Sequence, residues 1–274
     1  MRVYISCDLE GITGVVKESQ LQAGGEGYER ARKIMTKEVN AAAGGAFEAG
    51  ASVVVVNDAH DKMDNILIEN LQDNIELISG NPKKFSMMEG IWSGFDVCFF
   101  LGYHSMRSKR GVISHTYSSS LVLDVKINEV SLGETGINAM IAGYYDVPVG
   151  LVSGDDILHN ETREILGEEV KFVETKKALT KYSAWHHPLN NVYDQLRSKS
   201  KEVIEHIDRF KPFKVSSPIK LEVRFADISY ADQALMLPRT FRPNLSSPIV
   251  TYEAHDVIEF YKAFRTMLVL ANTG

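Results

Sequence analysis

Cysteine is nearly absent. Cys7 and Cys98 are the only two in 274 residues, which excludes a disulfide framework and points to a reducing, cytoplasmic setting. Long apolar runs are missing as well. Stretches such as Val53 to Val56 and Val97 to Leu101 fall far short of the ~18 to 20 residues that a membrane helix needs. The opening MRVYISCDLEG holds too short an apolar run before Asp8 and Glu10 to serve as an export signal. Positive charge is in deficit: 30 Lys and Arg stand against 36 Asp and Glu, a formal charge of −6, so no nucleic-acid partner is expected. Internal repeats, low-complexity tracts and heptad runs are also absent. What is present is a globular composition, 44% apolar and 24% charged, long enough for one large domain or two modest ones and incompatible with disorder.

Strand and helix patterns alternate along the chain. Val3 to Cys7 is a short β-prone run, Tyr28 to Ala49 carries apolar residues at helical spacing and stops at Gly50, and Ser52 to Val56 reads as a strand covered on both faces. The theme returns as a strand over 96–102, a helix over 135–145 and a buried strand over 148–153. This alternation predicts an α/β fold, a mainly parallel sheet with helices on both faces. Leu121 to Ile127 and Glu129 to Leu132 read as a hairpin turning at Asn128-Glu129. The texture then changes. Residues 171–220 hold 11 Lys or Arg and 5 Asp or Glu, which leaves 19 and 31 in the remainder, or +6 against −12. A polar helix over 190–210 is followed by a linker bracketed by Pro212 and Pro218. A strand over 219–225, a helix over 229–237, a strand over 249–252 and a helix over 255–270 then predict a smaller α+β lobe. The expected division is a main α/β domain over 1–210 and a small α+β domain over 211–274, joined through the hairpin region 105–133.

In open α/β sheets ligands bind outside the carboxyl ends of the strands, and those positions are chemically consistent here. Asp8 and Glu10 close the first strand, Asn57-Asp58-Ala59-His60 the second, His104 follows 99–103, and Asp155 with Asp156 closes a later one. If the chain stays extended through Leu9, Asp8 and Glu10 share a face about 7 Å apart, with Gly11 and Gly14 free to turn sharply beside a ligand. A lone D-x-E is as readily a cap and a solvated acid, and a lone His60 or His104 an ordinary loop histidine. Their shared location favours a metal site, since imidazole and carboxylate are the usual zinc ligands. Glu134 opens the helix over 135–145, where the helix dipole alone would welcome it. Three crowded carboxylates repel by about 4 kcal/mol per pair at 4 Å and an effective dielectric near 20. One divalent cation leaves Asp8, Glu10 and Glu134 under-compensated, whereas two with a bridging hydroxide reach neutrality, the arrangement of two-metal hydrolysis.

These residues carry a family resemblance. Ser6-Cys7-Asp8-Leu9-Glu10-Gly11 resembles the S-x-D-x-E-G signature of the DppA-type zinc-dependent D-aminopeptidases. Asn57 to His60, Gly102-Tyr103-His104, Ser114-His115, Gly133-Glu134-Thr135-Gly136 and Gly154-Asp155-Asp156 resemble the later motifs in the same order, with a specific match over about 1–156. The resemblance implies two Zn²⁺ per subunit, with Asp8 bridging, Glu10 and His104 completing one site, and His60 and Glu134 the other. It implies that His115 is the catalytic side chain; on chemical grounds a general acid or base, or an oxyanion stabiliser, suits it better than a nucleophile. It further implies a homo-oligomer, a decameric ring, acting on short peptides. The expected function is a di-zinc aminopeptidase removing an N-terminal, D-configured residue through a metal-bridging hydroxide. The competing readings are a two-metal phosphoester or other amide hydrolase on the same scaffold, and a silent metal-binding assembly module.

Other residues have simpler readings. Asp155 and Asp156 fit an N-cap as well as a site role. Arg107, Lys109 and Arg110 form a basic loop that could receive a peptide's terminal carboxylate. Cys7 and Cys98 read as core fillers, and Gly24-Gly25-Glu26-Gly27 as a flexible loop because it lacks a nucleotide fingerprint. His159, His186, His187, His206 and His255 read as surface or capping residues.

Overall fold

A computed structural model describes residues 1–273. Its body is a seven-stranded sheet built from β1 (Arg2–Cys7), β2 (Val53–Asp58), β3 (Ile75–Ile78), β4 (Val97–Leu101), β7 (Val149–Asp155), β8 (Lys171–Thr180) and β9 (Ser183–His186), in the order β3-β2-β1-β4-β7-β8-β9. All neighbours are parallel except β9, which returns antiparallel on β8. A second sheet is antiparallel, in the order β11-β10-β5-β6, from β5 (Val122–Ile127), β6 (Val130–Ser131), β10 (Ile219–Phe225) and β11 (Ile249–Ala254). The expected fold class holds.

Alternation in β1 sorts its side chains between two cores. Val3, Ile5 and Cys7 enter the layer covered by α1 (Tyr28–Glu48) and α4 (Leu189–Glu205), whereas Tyr4 enters the other layer. That second layer is covered by α2 (Glu134–Tyr144), α3 (Asp156–Leu166) and the antiparallel sheet with α5 (Ile228–Ala234) and α6 (Val257–Ala271). In β10, Ile219, Leu221, Val223 and Phe225 are buried while Lys220 and Arg224 face out, so its alternating sequence reports one wet face. The β5–β6 turn places Asn128 and Glu129 at φ 50° and 73°, the double left-handed geometry of a two-residue hairpin.

Some elements differ from expectation. β3 is a partly exposed edge of four residues, too short to register as a strand. β8 and β9 fall in the basic stretch where the sequence pattern shows no strand, because the outer half of β8 carries exposed Lys177, Leu179 and Thr180. The strand order reverses beside β1, whose neighbours are β2 on one side and β4 on the other. This switch point opens a crevice at the strand carboxyl ends. Among the described residues no helix is long and apolar enough to cross a membrane, and both cysteines are buried and unpaired.

Candidate metal centre

Backbone contact between the loops after β1 and β4 builds the crevice. Asp8 N donates to Leu101 O at 2.8 Å and Gly11 N to Gly102 O at 2.7 Å. A Cβ on Gly11 would lie 2.0 Å from the Tyr103 carbonyl oxygen, and one on Gly102, at φ +66°, 2.2 Å from that of Asp8. Only glycine allows this approach, and it brings Asp8 beside His104. The strand does not run extended through Leu9 as expected. β1 ends at Cys7 and the chain turns, with Ile12 N donating to Leu9 O, so Asp8 and Glu10 converge instead of merely sharing a face.

Asp8, Glu10, His60, His104 and Glu134, drawn from four segments of the chain, all meet here and all are buried. His60 Nδ1 stands 3.2 Å from Asp8 Oδ1 and 3.0 Å from Glu10 Oε2; His104 Nε2 stands 3.5 Å from Asp8 Oδ2 and 3.4 Å from Glu134 Oε2. Ligand-type atoms fall within 4.8 Å of one another in three groups: Asp8, Glu10 and His60; Asp8, His104 and Glu134; and Glu10, His104 and His115. Asp8 is common to the first two. Glu10 thus stands near both His60 and His104, whereas the resemblance pairs it with His104.

The second nitrogen of each imidazole is already committed. His60 Nε2 lies 2.8 Å from Leu21 O and His104 Nδ1 lies 3.1 Å from Ser105 O. An N–H donated to each carbonyl leaves His60 Nδ1 and His104 Nε2 as the nitrogens facing the carboxylates, so loss of their protons would give the tautomer a metal requires. Glu10 Oε2 and His104 Nε2 are buried and, although close to His60 and Glu134, make no hydrogen bond of good geometry. Buried polar atoms are normally satisfied, so these two fit ligand positions for divalent cations.

Electrostatics agrees. Burial, reinforced by Glu10, pushes the Asp8 carboxyl up to about 7. Burial also opposes ionisation of Glu10 and Glu134, but His60 outweighs it at Glu10 and His104 at Glu134, holding both below the usual carboxylate range. The same contacts, chiefly Glu10 for His60 and Glu134 for His104, overcome burial and raise both imidazoles. The cluster balances its carboxylates with imidazolium protons; divalent cations would take over that balance and release them.

His115 lies at the mouth. Its ring stacks on His104 with centroids 4.1 Å apart, and its Nε2 is 3.7 Å from Glu134 Oε1. Nδ1 is 3.0 Å from Ile113 O, so Nε2 is the nitrogen left to exchange a proton. Burial and then His104 hold this imidazole below its ordinary value, which keeps it neutral near pH 7.

A cavity of about 440 Å³ opens onto Asp8, Glu10, His60, His115 and Glu134 and extends to Lys181 and Arg265. The basic loop is elsewhere: Arg107 donates to Ser119 O, Lys109 pairs with Glu164 at 3.3 Å, and Lys109 and Arg110 border a separate surface hollow. Asp155 caps α3 by accepting from Leu158 N at 2.8 Å and also accepts from Val112 N at 2.6 Å, so it anchors the loop bearing His115. Asp156 accepts from Ala178 N. Of the remaining histidines, His186 accepts from Gly14 N at 3.2 Å and His187 reaches Glu174 at 2.7 Å, both outside the cluster.

The family model for D-aminopeptidases matches residues 1–266. The chain belongs to the D-aminopeptidase family. It is 36% identical over 274 residues to the D-aminopeptidase of Bacillus subtilis (strain 168), covering 99% of this chain and 98% of that protein. The solved structure of the Zn-dependent D-aminopeptidase DppA from Bacillus subtilis, a self-compartmentalizing protease, matches with a TM-score of 0.96 at 35% identity over 100% of this chain and 99% of that one. Membership of the family and its hydrolase fold therefore stand on whole-length likeness.

Sequence reasoning missed Lys176. This fully buried lysine of β8 donates to the carbonyls of Glu10 at 2.6 Å, Ile12 at 2.9 Å and Val15 at 2.7 Å. Thr175 Oγ1 adds a contact of 2.6 Å to Gly11 O. Together they pin the turn that presents Glu10. No sequence signal marks either residue, because their strand was itself unread.

Proposed function

We propose that this protein is a di-zinc aminopeptidase that removes the N-terminal residue, D-configured, from short peptides. The observation that carries this reading is the convergence of four buried carboxylates and imidazoles, Glu10, His60, His104 and Glu134, around the buried Asp8. Asp8, common to two of the ligand groups, would serve both ions, and Glu10, His60, His104 and Glu134 would supply the remaining ligands. When bound, the ions supply Lewis acidity toward the scissile carbonyl and make a water acidic enough to attack near neutral pH.

The chain's own groups do the rest. Leu21 O and Ser105 O hold His60 and His104 in their ligating tautomers, and Lys176 fixes the turn behind Glu10. His115 Nε2, neutral and facing the cavity, accepts a proton as the carbonyl is attacked and returns it to the leaving amine. Glu134, in reach of both His104 and His115, favours the imidazolium that forms. The substrate's free amine enters a cavity also bordered by Glu18 and Asp61.

The protein is assigned to the cytoplasm, with both thiols reduced, and to a ring-like decamer, a closed assembly in keeping with the relative's description as a self-compartmentalizing protease. Residues 1–210 form its catalytic domain and 211–274 a smaller lobe, joined by the 105–133 hairpin region, whose β5 and β6 extend the lobe's antiparallel sheet. The test is hydrolysis of D- and L-aminoacyl p-nitroanilides beside phosphate esters. Amide cleavage favouring D-substrates supports the reading; phosphatase turnover without amide cleavage rejects it.

A further inference from the structure

Carboxylates dominate the cavity, yet two permanent cations border it, Lys181 and Arg265. Among the described residues neither makes an ion pair, and Arg265 makes no side-chain hydrogen bond. They differ in setting. The Lys181 ammonium lies over the ring of Tyr182, an exposed residue, at 5.7 Å. The Arg265 guanidinium, on half-buried α6, stands 5.7 Å over the ring of Tyr117. That residue is held at its backbone and at its ring's far end: Tyr117 N donates to Glu134 Oε1 at 2.6 Å and its hydroxyl to Asn138 Oδ1 at 2.8 Å. Tyr117 also sits at φ +58°, a costly conformation for a bulky residue that the surroundings must impose. One braced aromatic residue therefore sets the position of an unpaired arginine relative to a candidate metal ligand.

A guanidinium with free donors on a rigid platform is a carboxylate receptor, able to bind both oxygens at once. The substrates of the proposed reaction carry such a group at the far end. An extended residue spans only ~3.3 to 3.6 Å, so that carboxylate stays near the scissile bond only when the peptide is short. We propose that Arg265 binds the C-terminal carboxylate of the peptide substrate and so selects short peptides with a free terminus. This inference rests on the aminopeptidase reading and names a residue outside the metal-binding set. The basic loop of Arg107, Lys109 and Arg110 lies outside the cavity and has no such part.

The test compares the zinc-reconstituted wild type with Arg265→Gln and Lys181→Gln. Substrates are a dipeptide of D-residues as the free acid, its C-terminal carboxamide, and a pentapeptide of the same residues. A charged hydrogen-bonded pair contributes enough for a preference of roughly 10- to 100-fold, which should appear in the wild type as a lower KM for the dipeptide acid. Arg265→Gln should abolish the preference for acid over carboxamide and for dipeptide over pentapeptide, whereas Lys181→Gln should keep both. A second readout is calorimetric binding of a reduced-amide dipeptide isostere, as acid and as carboxamide, which needs no turnover. Arg265→Gln should weaken only the acid form. Equal losses for acid and carboxamide in Arg265→Gln, no acid preference in the wild type, or loss of the preference in Lys181→Gln instead would each overturn the proposal. Absence of any amide cleavage by the wild type defeats the aminopeptidase reading, and the isostere then decides Arg265 independently.

Discussion

Replacing Lys176 by Met keeps the length and volume of the side chain and removes three donors. Its ammonium satisfies the carbonyls of Glu10, Ile12 and Val15 in a region closed to water. Leaving a buried acceptor unpaired costs about 1 to 3 kcal/mol, a gross loss near 6 kcal/mol for three at mid-range. Burial also penalises the charge itself. It pushes the lysine down from 10.5 to about 8, with Asp155 the main opposing charge, and at about 1.36 kcal/mol per unit the variant regains roughly 3 kcal/mol. The net destabilisation is about 3 kcal/mol, which for a chain of this size lowers Tm by about 6 to 12 °C. Because the freed turn carries Glu10, zinc affinity should also fall about 10- to 100-fold, as for other groups that orient metal ligands. Thermal unfolding and zinc titration measure the two effects separately. Leu196→Ala, at a buried position of α4 outside the centre, provides a comparison of similar cost that should not change zinc affinity. If Lys176→Met loses stability but binds zinc as tightly as the wild type, the positioning argument is wrong.

His115→Ala should lower kcat about 10²- to 10⁴-fold with zinc content unchanged by elemental analysis; unaltered turnover would remove His115 from the reaction. Glu38, fully buried with Oε1 accepting from Thr13 N and Oε2 unpartnered, is pushed by burial from 4.5 to about 7. Its neutral form is favoured in the fold, so its contribution is full below about pH 4.5 and is lost as pH rises through about 7. Measured by denaturant unfolding, Glu38→Gln should therefore gain about 3 kcal/mol on the wild type across that window, and parallel pH profiles would contradict this. Asp155→Ala removes the acceptor shared by Leu158 N and Val112 N. It should destabilise by about 1 to 3 kcal/mol and lower kcat by displacing the His115 loop, with zinc binding retained.

Residues whose position follows from strand ends were legible in the sequence. Asp8, His60 and His104 each follow a buried parallel strand, and Glu134 opens a helix, so pattern and topology suffice to gather them. The hairpin at Asn128-Glu129 was legible from the flanking alternation although neither turn residue is glycine. Legibility ended where tertiary contact overrides local pattern. The turn at Leu9 depends on Gly11 and Gly102 meeting across two loops, which no window of sequence around either reveals. Lys176 looks like any charged residue beside Lys177, and only β8 placed against the Glu10 turn makes it a buried clamp. Arg265 lies on a helix of the second lobe, over 130 residues from Glu134, and its arrival over Tyr117 follows from the packing of that lobe on the main sheet.

The central claim is that Asp8 is shared by two divalent cations on which hydrolysis depends. The most direct measurement is zinc stoichiometry per chain by elemental analysis, coupled to hydrolysis of stereoisomeric dipeptides before and after chelation. The account predicts two zinc ions in the wild type, loss of D-dipeptide cleavage on chelation with recovery on zinc addition, and loss of both ions in Asp8→Ala. One ion or none in the active wild type, hydrolysis that survives complete chelation, or full zinc content in Asp8→Ala would contradict it.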